Sequence, residues 1–212
     1  MTERKGSSVR WGGMVAGMVV GVFAPLALLG QACLGSPNGP GQYSVVADAN
    51  ITSGANDFGV GVEANFPGPL GARAGVALDD FDDDDRRTRF EGRLSYDIRS
   101  GPGINICPVG GADFTRRTQD SISENQLRIP LALSVGGRID AGDGIRVVPS
   151  ARAGFAHWRF SGDAFDTTRT ENSVFAIAGA ALALDDVHIR AEVGIDSFDD
   201  EPFYRFQVGY RR

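Results

Sequence analysis

From about residue 42 to the last residue, apolar and polar side chains alternate at a period of two. The pattern is clearest over 88–99, where Phe90, Gly92, Leu94, Tyr96 and Ile98 share one face and Arg89, Glu91, Arg93, Asp97 and Arg99 the other. Successive side chains of a strand point to opposite faces, so this segment predicts a strand that is apolar on one side and charged on the other. The same criterion predicts ten strands, at 42–51, 58–66, 70–78, 88–99, 104–115, 126–138, 145–155, 173–184, 187–198 and 203–211. Each is about as long as the tilted strand that crosses a bilayer, roughly 9–11 residues. Short turns rich in Gly, Pro and Asp (67–69, 100–103, 140–144 and 185–186) alternate with longer polar stretches at 79–87, 116–125 and 156–172. An even strand count with short turns at one end and longer loops at the other predicts an all-β fold. The expected form is a closed antiparallel up-and-down transmembrane barrel of ten strands, with eight the alternative.

The faces can be compared across strands. One collects Val60, Val62, Val76, Leu78, Phe90, Leu94, Ile104, Ile106, Leu127, Ile129, Leu131, Leu133, Ile145, Val147, Val187, Ile189, Val193, Phe206 and Val208. The other collects Glu63, Asn65, Arg73, Arg89, Glu91, Arg93, Asp97, Asn105, Asp113, Arg128, Arg138, Arg146, Arg152, Arg190, Glu192, Asp196, Arg205 and Gln207. Parity alone leaves open which face is inside. Strand length and the pairing of signs favour charges within, because buried charges persist only when paired and hydrogen-bonded. The expected lumen network comprises Glu63, Asp79, Arg89, Glu91, Arg93, Arg128, Arg190, Glu192, Asp196 and Arg205, with Asp196 facing Arg205 and Asp79 facing Arg87 across hairpins. Phe58, Phe90, Phe114, Phe155 and Tyr204 gather at the long-loop end, and Phe66, Tyr96 and Tyr210 at the short-turn end, as interfacial girdles do. Phe198 falls on the inward parity, and Pro108, Pro130 and Pro149 fall inside strands, where bulges are expected.

The N-terminus changes the setting of this barrel. Arg4, Lys5 and Arg10 precede an apolar run from Val15 to Leu29, and Gly30-Gln31-Ala32 offers a small-x-small cleavage site, so residues 1–32 are expected to be a signal peptide. Residues 33–41 would then be a periplasmic N-terminal segment and 42–212 the barrel domain. Removing the leader takes away three basic residues and one acidic residue, leaving 18 basic and 26 acidic, a net charge of −8. All remaining basic side chains are arginine, whose planar donor fork suits crowded ion pairs. An acidic chain without a basic stripe excludes a nucleic-acid partner. Cys33 and Cys107 are the only cysteines, and in an oxidising compartment they are expected to form a disulfide. The rival is a lipidated Cys33, although Gly30 stands where a lipobox carries leucine.

Taken together, the leader, the ten amphipathic segments, the strand Arg128-Ile-Pro-Leu-Ala-Leu133 and the ending Tyr204-Arg-Phe-Gln-Val-Gly-Tyr210 resemble the small outer-membrane β-barrels of the opacity-porin or OmpA-like kind. That family inserts through a C-terminal strand of alternating aromatics, which Tyr204, Phe206, Val208 and Tyr210 match. Here Arg211-Arg212 follows the last aromatic. The resemblance implies an outer-membrane barrel.

Chemistry is sparse. His157 and His188 are expected at opposite ends, and His157 with Asp163 or Asp166 imitates the rim of the ten-stranded outer-membrane proteases only loosely. Moreover, the 180 residues after the leader are too few for strands rising far above a membrane. No catalytic residue and no cofactor are expected. Asp82, Asp83, Asp84 and Asp85 are weak candidates for binding divalent cations, but without the spaced ligands and fixed glycine of a calcium loop they read first as a solvated, self-repelling loop tip. The expected protein is a monomeric outer-membrane barrel in contact with lipid, with a charge-filled lumen and a structural or surface-interaction role. A narrow passive diffusion porin and a soluble exported ligand-binding barrel are the alternatives.

Overall fold

The computed structural model describes residues 32–52, 56–81, 85–100, 103–119, 122–163 and 167–212. Residues 1–31, Asp82, Asp83, Asp84 and Asp166 lie outside the described residues, and for Asp79 and Asp85 only the backbone is described. Ten long strands follow one another: β1 Tyr43–Ile51, β2 Asn56–Asn65, β3 Leu70–Phe81, β4 Asp85–Tyr96, β5 Ile104–Gln119, β6 Ile122–Gly137, β7 Ile145–Gly162, β8 Arg169–Leu184, β9 Val187–Asp196 and β10 Pro202–Arg211. Each pairs antiparallel with its sequence neighbours, and β1 pairs with β10 from Ser44 opposite Arg211 to Ile51 opposite Tyr204. The sheet therefore closes into a ten-stranded up-and-down barrel, which removes its edges. Two short segments extend it at the short-turn end: Arg99–Ser100 against β5 and Ile139–Gly142 against β7.

The turns follow from their residues. Asp185 (φ 49°) and Asp186 join β8 to β9 directly, and Asp143 (φ 49°) with Gly144 (φ 78°) turns the chain into β7. Asp and Gly enter the left-handed region at little cost.

The strands of the long hairpins exceed expectation. β5, β6, β7 and β8 run for 16, 16, 18 and 16 residues. Much of 116–125 and 156–172, predicted as loop, is strand. These stretches read as loop because their outward residues turn polar (Arg116, Thr118, His157, Arg159, Asn172) while the ladder continues. Chain length therefore did allow tall strands, on one side of the barrel. The prolines also behave differently from expectation. Opposite Pro130 the β5–β6 ladder lapses at Gly111 and Ala112 yet resumes in the same register, and Pro149 sits in register opposite Ala180. Only at Pro108 is there a slip: the β4 side breaks after Ser95 opposite Val109 and resumes one residue out of step, with Arg99 opposite Ile106.

The charged face points inward. Along β9, exposed and buried residues alternate without exception. Val60, Leu78, Phe90, Leu94, Leu131, Leu133, Ile189 and Phe206 are exposed on the outer face, whereas Glu63, Arg73, Asp113, Arg190, Glu192 and Asp196 are buried within. Inward glycines make room for these groups. A Cβ on Gly209 would lie 2.1 Å from the buried His188 ring, and one on Gly179 would lie 2.8 Å from the Glu192 side chain. Phe58, Phe90, Phe114, Phe155 and Tyr204 stand outward towards the long hairpins, and Phe66, Tyr96 and Tyr210 outward towards the short turns. Phe198 is not part of the girdle. It leans over the mouth onto Trp158 and Phe160.

Candidate functional site: the barrel lumen

At the short-turn end the lumen is filled by the chain's own N-terminal segment. Cys33 is joined to Cys107 on β5, and Ala32, Cys33, Leu34, Ser36, Pro37 and Asn38 are buried. The disulfide and the burial of Cys33 leave no thiol there for a lipid. The wall binds this segment through its backbone carbonyls. Arg138 donates to the carbonyls of Pro37 and Asn38 (3.0 Å each), Arg190 Nε to that of Gly35 (2.9 Å), and Ser134 to that of Cys33. Asn65 donates to the Asn38 carbonyl (2.7 Å), and the Asn38 amide donates to the Ser44 hydroxyl (3.0 Å). A segment without regular structure needs such partners once it leaves water.

Above it lies a buried ionic cluster. Glu63, 1% exposed, accepts two bonds from Arg190 (2.9 and 3.0 Å), one from Arg73 (2.8 Å) and one from the Gln207 amide (3.1 Å). Arg73 continues to Glu91 (2.7 Å) and Asp48 (3.6 Å), and Arg205 reaches Glu91 (3.4 Å). Nearer the long hairpins, Asp113 takes Arg93 (2.7 Å) and Arg128 (3.2 Å), Arg128 also meets Asp196 (3.0 Å), Arg152 meets Glu192 (3.4 Å), and Arg89 forms a two-bond pair with Asp57. Arg190 links the two layers, since it holds both Gly35 and Glu63.

Nine residues of the expected network (Glu63, Arg89, Glu91, Arg93, Arg128, Arg190, Glu192, Asp196 and Arg205) lie together in this lumen. The side chain of Asp79 is not described; its backbone stands opposite Arg87, as expected. Asp196 does not face Arg205. Glu192 does, because the β9–β10 turn is longer at its β9 end than a symmetric loop would be, and Asp196 pairs across the lumen with Arg128. Asp48 and Asp57 were missed. Ser44 stands opposite Glu63, which fixes the inward parity of β1 and so turns Asp48 inward, while Asp57 read as loop. Among the described residues these ion pairs take in seven arginines (73, 89, 93, 128, 152, 190, 205) and seven carboxylates (48, 57, 63, 91, 113, 192, 196), so their charges balance.

The long-hairpin end opens into a vestibule of about 860 Å³ with this network as its floor. At its rim, burial pushes the Asp199 carboxyl upward, with Asp196 and Glu201 adding to the shift. The histidines form no shared site. His188 is buried in the lumen wall near the short turns, whereas His157 faces outward and meets Asn172 (2.9 Å), with Asp163 engaged by Ser123 (2.9 Å). Among the described residues no group of three or more metal-ligating side chains occurs.

No protein-family model matches this sequence, and no curated protein matches it. Among solved structures it is similar to the N-terminal β-barrel domain of Pseudomonas aeruginosa OprF (13% identity, 82% of this chain, 100% of that chain, TM-score 0.39). It is also similar to the KdgM porin (16%, 79%, 98%, 0.39) and to the Escherichia coli outer-membrane protease OmpT (9%, 81%, 93%, 0.39). At such identities and scores the fold rests on the strand register described above.

Proposed function

We propose that this protein is an integral barrel of a bacterial outer membrane, non-enzymatic, monomeric and closed to diffusion, with a structural or surface-interaction role. Membrane insertion is supported by the outer face. Its apolar belt runs up to Phe114, Leu127, Phe155 and Val174, and the tall strands continue above it with Arg116, His157 and Asn172 outward. A bilayer admits only helices and closed barrels, and an exposed apolar belt of this extent is costly in water. The long hairpins then face the outside, and residues 32 and 212 lie on the periplasmic side. Acidic loop residues would meet divalent cations bridging lipid head groups.

The observation that carries the closed lumen is the pairing of the disulfide-tethered segment 33–38 with the Glu63–Arg73–Arg190 cluster directly above it. A ten-stranded barrel is only slightly wider than the eight-stranded case that side chains fill, and here a chain segment is added. A diffusion porin would need that space free. Planar-bilayer recording of the purified protein should show no steady unitary conductance, and such a conductance would overturn the proposal. Extraction from membranes only with detergent is the matching expectation for insertion.

A further inference from the structure

The vestibule has two chemically different walls. On the β7–β10 side Trp158, Ile177, Phe198 and Phe203 form an apolar patch beside the charged Asp196, Asp199 and Glu201; facing them are Asn50, Thr115, Gln126 and the pairs Arg89–Asp57 and Arg93–Asp113. Phe198 is held by Trp158 (ring centroids 4.8 Å apart, 21° between planes) and Phe160 (5.6 Å, 18°), and 38% of its surface remains open to the mouth. The Arg128 guanidinium lies over the Trp158 and Phe175 rings (5.3 and 4.9 Å), which fixes the wall from inside. This wall offers a rigid apolar platform, and the opposite one a fixed alternation of donors and acceptors.

The balance of charge decides what fits between them. Arg89, Arg93, Arg128, Arg152 and Arg205 each already hold a carboxylate, so an ionic ligand must break one of these pairs to bind among them. A hydroxyl breaks none: it donates to a carboxylate oxygen and accepts from a guanidinium at once. A ligand with many hydroxyls and one flat, weakly polar face answers both walls. We propose that the vestibule is a blind binding site for a neutral pyranose saccharide, its C–H face on Phe198 and its hydroxyls among the Arg–Asp pairs. The volume of about 860 Å³ falls within the usual range of small-molecule sites, about 300–1,000 Å³, and leaves room for a short oligosaccharide. The inference rests on the closed-barrel reading, since over an open lumen the same walls would line a passage.

Trp158 is the only tryptophan outside the predicted leader, so its fluorescence reports on the vestibule. Protein extracted in detergent is titrated with maltotetraose, with the tetramer of N-acetylglucosamine and with a tetrameric uronate, by fluorescence and calorimetry. A saturable change with a neutral tetramer is expected, weakened about tenfold by Phe198→Ala, the size of one aromatic contact. Thr115→Phe, which adds bulk to the polar wall, should weaken it as well, and heat-modifiable gel migration checks that both variants remain folded. Binding of the uronate alone, binding undiminished in both variants, or no binding by the folded barrel overturns the inference. A barrel that conducts overturns the closed-lumen reading instead, and one that stays closed yet binds nothing overturns this inference alone.

Discussion

The two ends of the lumen use the same side chains to different effect. At the short-turn end Glu63 and Arg190 are each 1% exposed and meet beneath a roof of further ion pairs and above a strap of main chain. At the long-hairpin end the pairs Arg93–Asp113 and Arg128–Asp196 have the same chemistry, but their arginines keep 14% and 16% of their side-chain surface. The difference comes from what fills the remaining space. Below, it is residues 32–38 together with His188 over Gly209; above, it is an open vestibule. A buried ion pair without water is held only by its own geometry, whereas one beside water has a substitute partner. Identical pairs thus serve as a seal at one end and as an accessible surface at the other.

The harshest way to break this comparison is Glu63→Ala. Removing the carboxylate leaves the buried Arg190 guanidinium without a carboxylate and takes one of three from Arg73, and loss of one partner of a buried pair costs about 3–5 kcal/mol. Denaturant unfolding of the protein in lipid vesicles, followed by gel migration, should show a loss of that size. A loss near that of an exposed pair would mean that water reaches the cluster.

Next in size is the tether. Cys33 and Cys107 are separated by 74 positions, and a bridge closing a loop of that order typically contributes about 2–4 kcal/mol, so the double variant Cys33→Ser/Cys107→Ser should unfold correspondingly earlier. It should nevertheless remain non-conducting in a planar bilayer, because Arg190, Glu63 and Arg73 still span the lumen and Arg138 still holds Pro37 and Asn38. Conductance in the double variant would assign the seal to the tethered segment rather than to the ionic cluster.

How much of this was legible in the sequence follows from which signal each part leaves. All ten strands were, because alternation marks any strand with unlike faces, and so was the Cys33–Cys107 bridge. The upper strand ends were not: beyond Phe114 and Phe155 the outward residues become polar, alternation stops, and only the backbone ladder continues. The set of charged lumen residues followed from parity, but their partners did not. Asp196 finds Arg128 across the lumen because the turn at 197–201 shifts the β9–β10 register, and turn geometry leaves little trace in composition. The vestibule was hidden for the same reason. Phe198 reads as a strand residue on the wrong face, and only its stacking on Trp158 shows that it belongs to the mouth.

The finest test compares like with like. Asp113→Asn keeps the shape and removes the charge that Arg93 and Arg128 share, as Glu63→Ala does below, but here the vestibule lies beside the site. The arginines can turn to solvent, and Arg128 keeps Asp196 (3.0 Å), so the expected loss is about 1–2 kcal/mol, between that of an exposed pair and that of a buried charged hydrogen bond. That loss should shrink in high salt, because mobile ions screen charges beside water and leave buried ones almost untouched; the loss from Glu63→Ala should not move. If Asp113→Asn instead costs as much as Glu63→Ala and ignores salt, the vestibule floor is as dry as the seal. Its Arg–Asp pairs would then be closed to a ligand's hydroxyls, and the saccharide site would lose its polar wall.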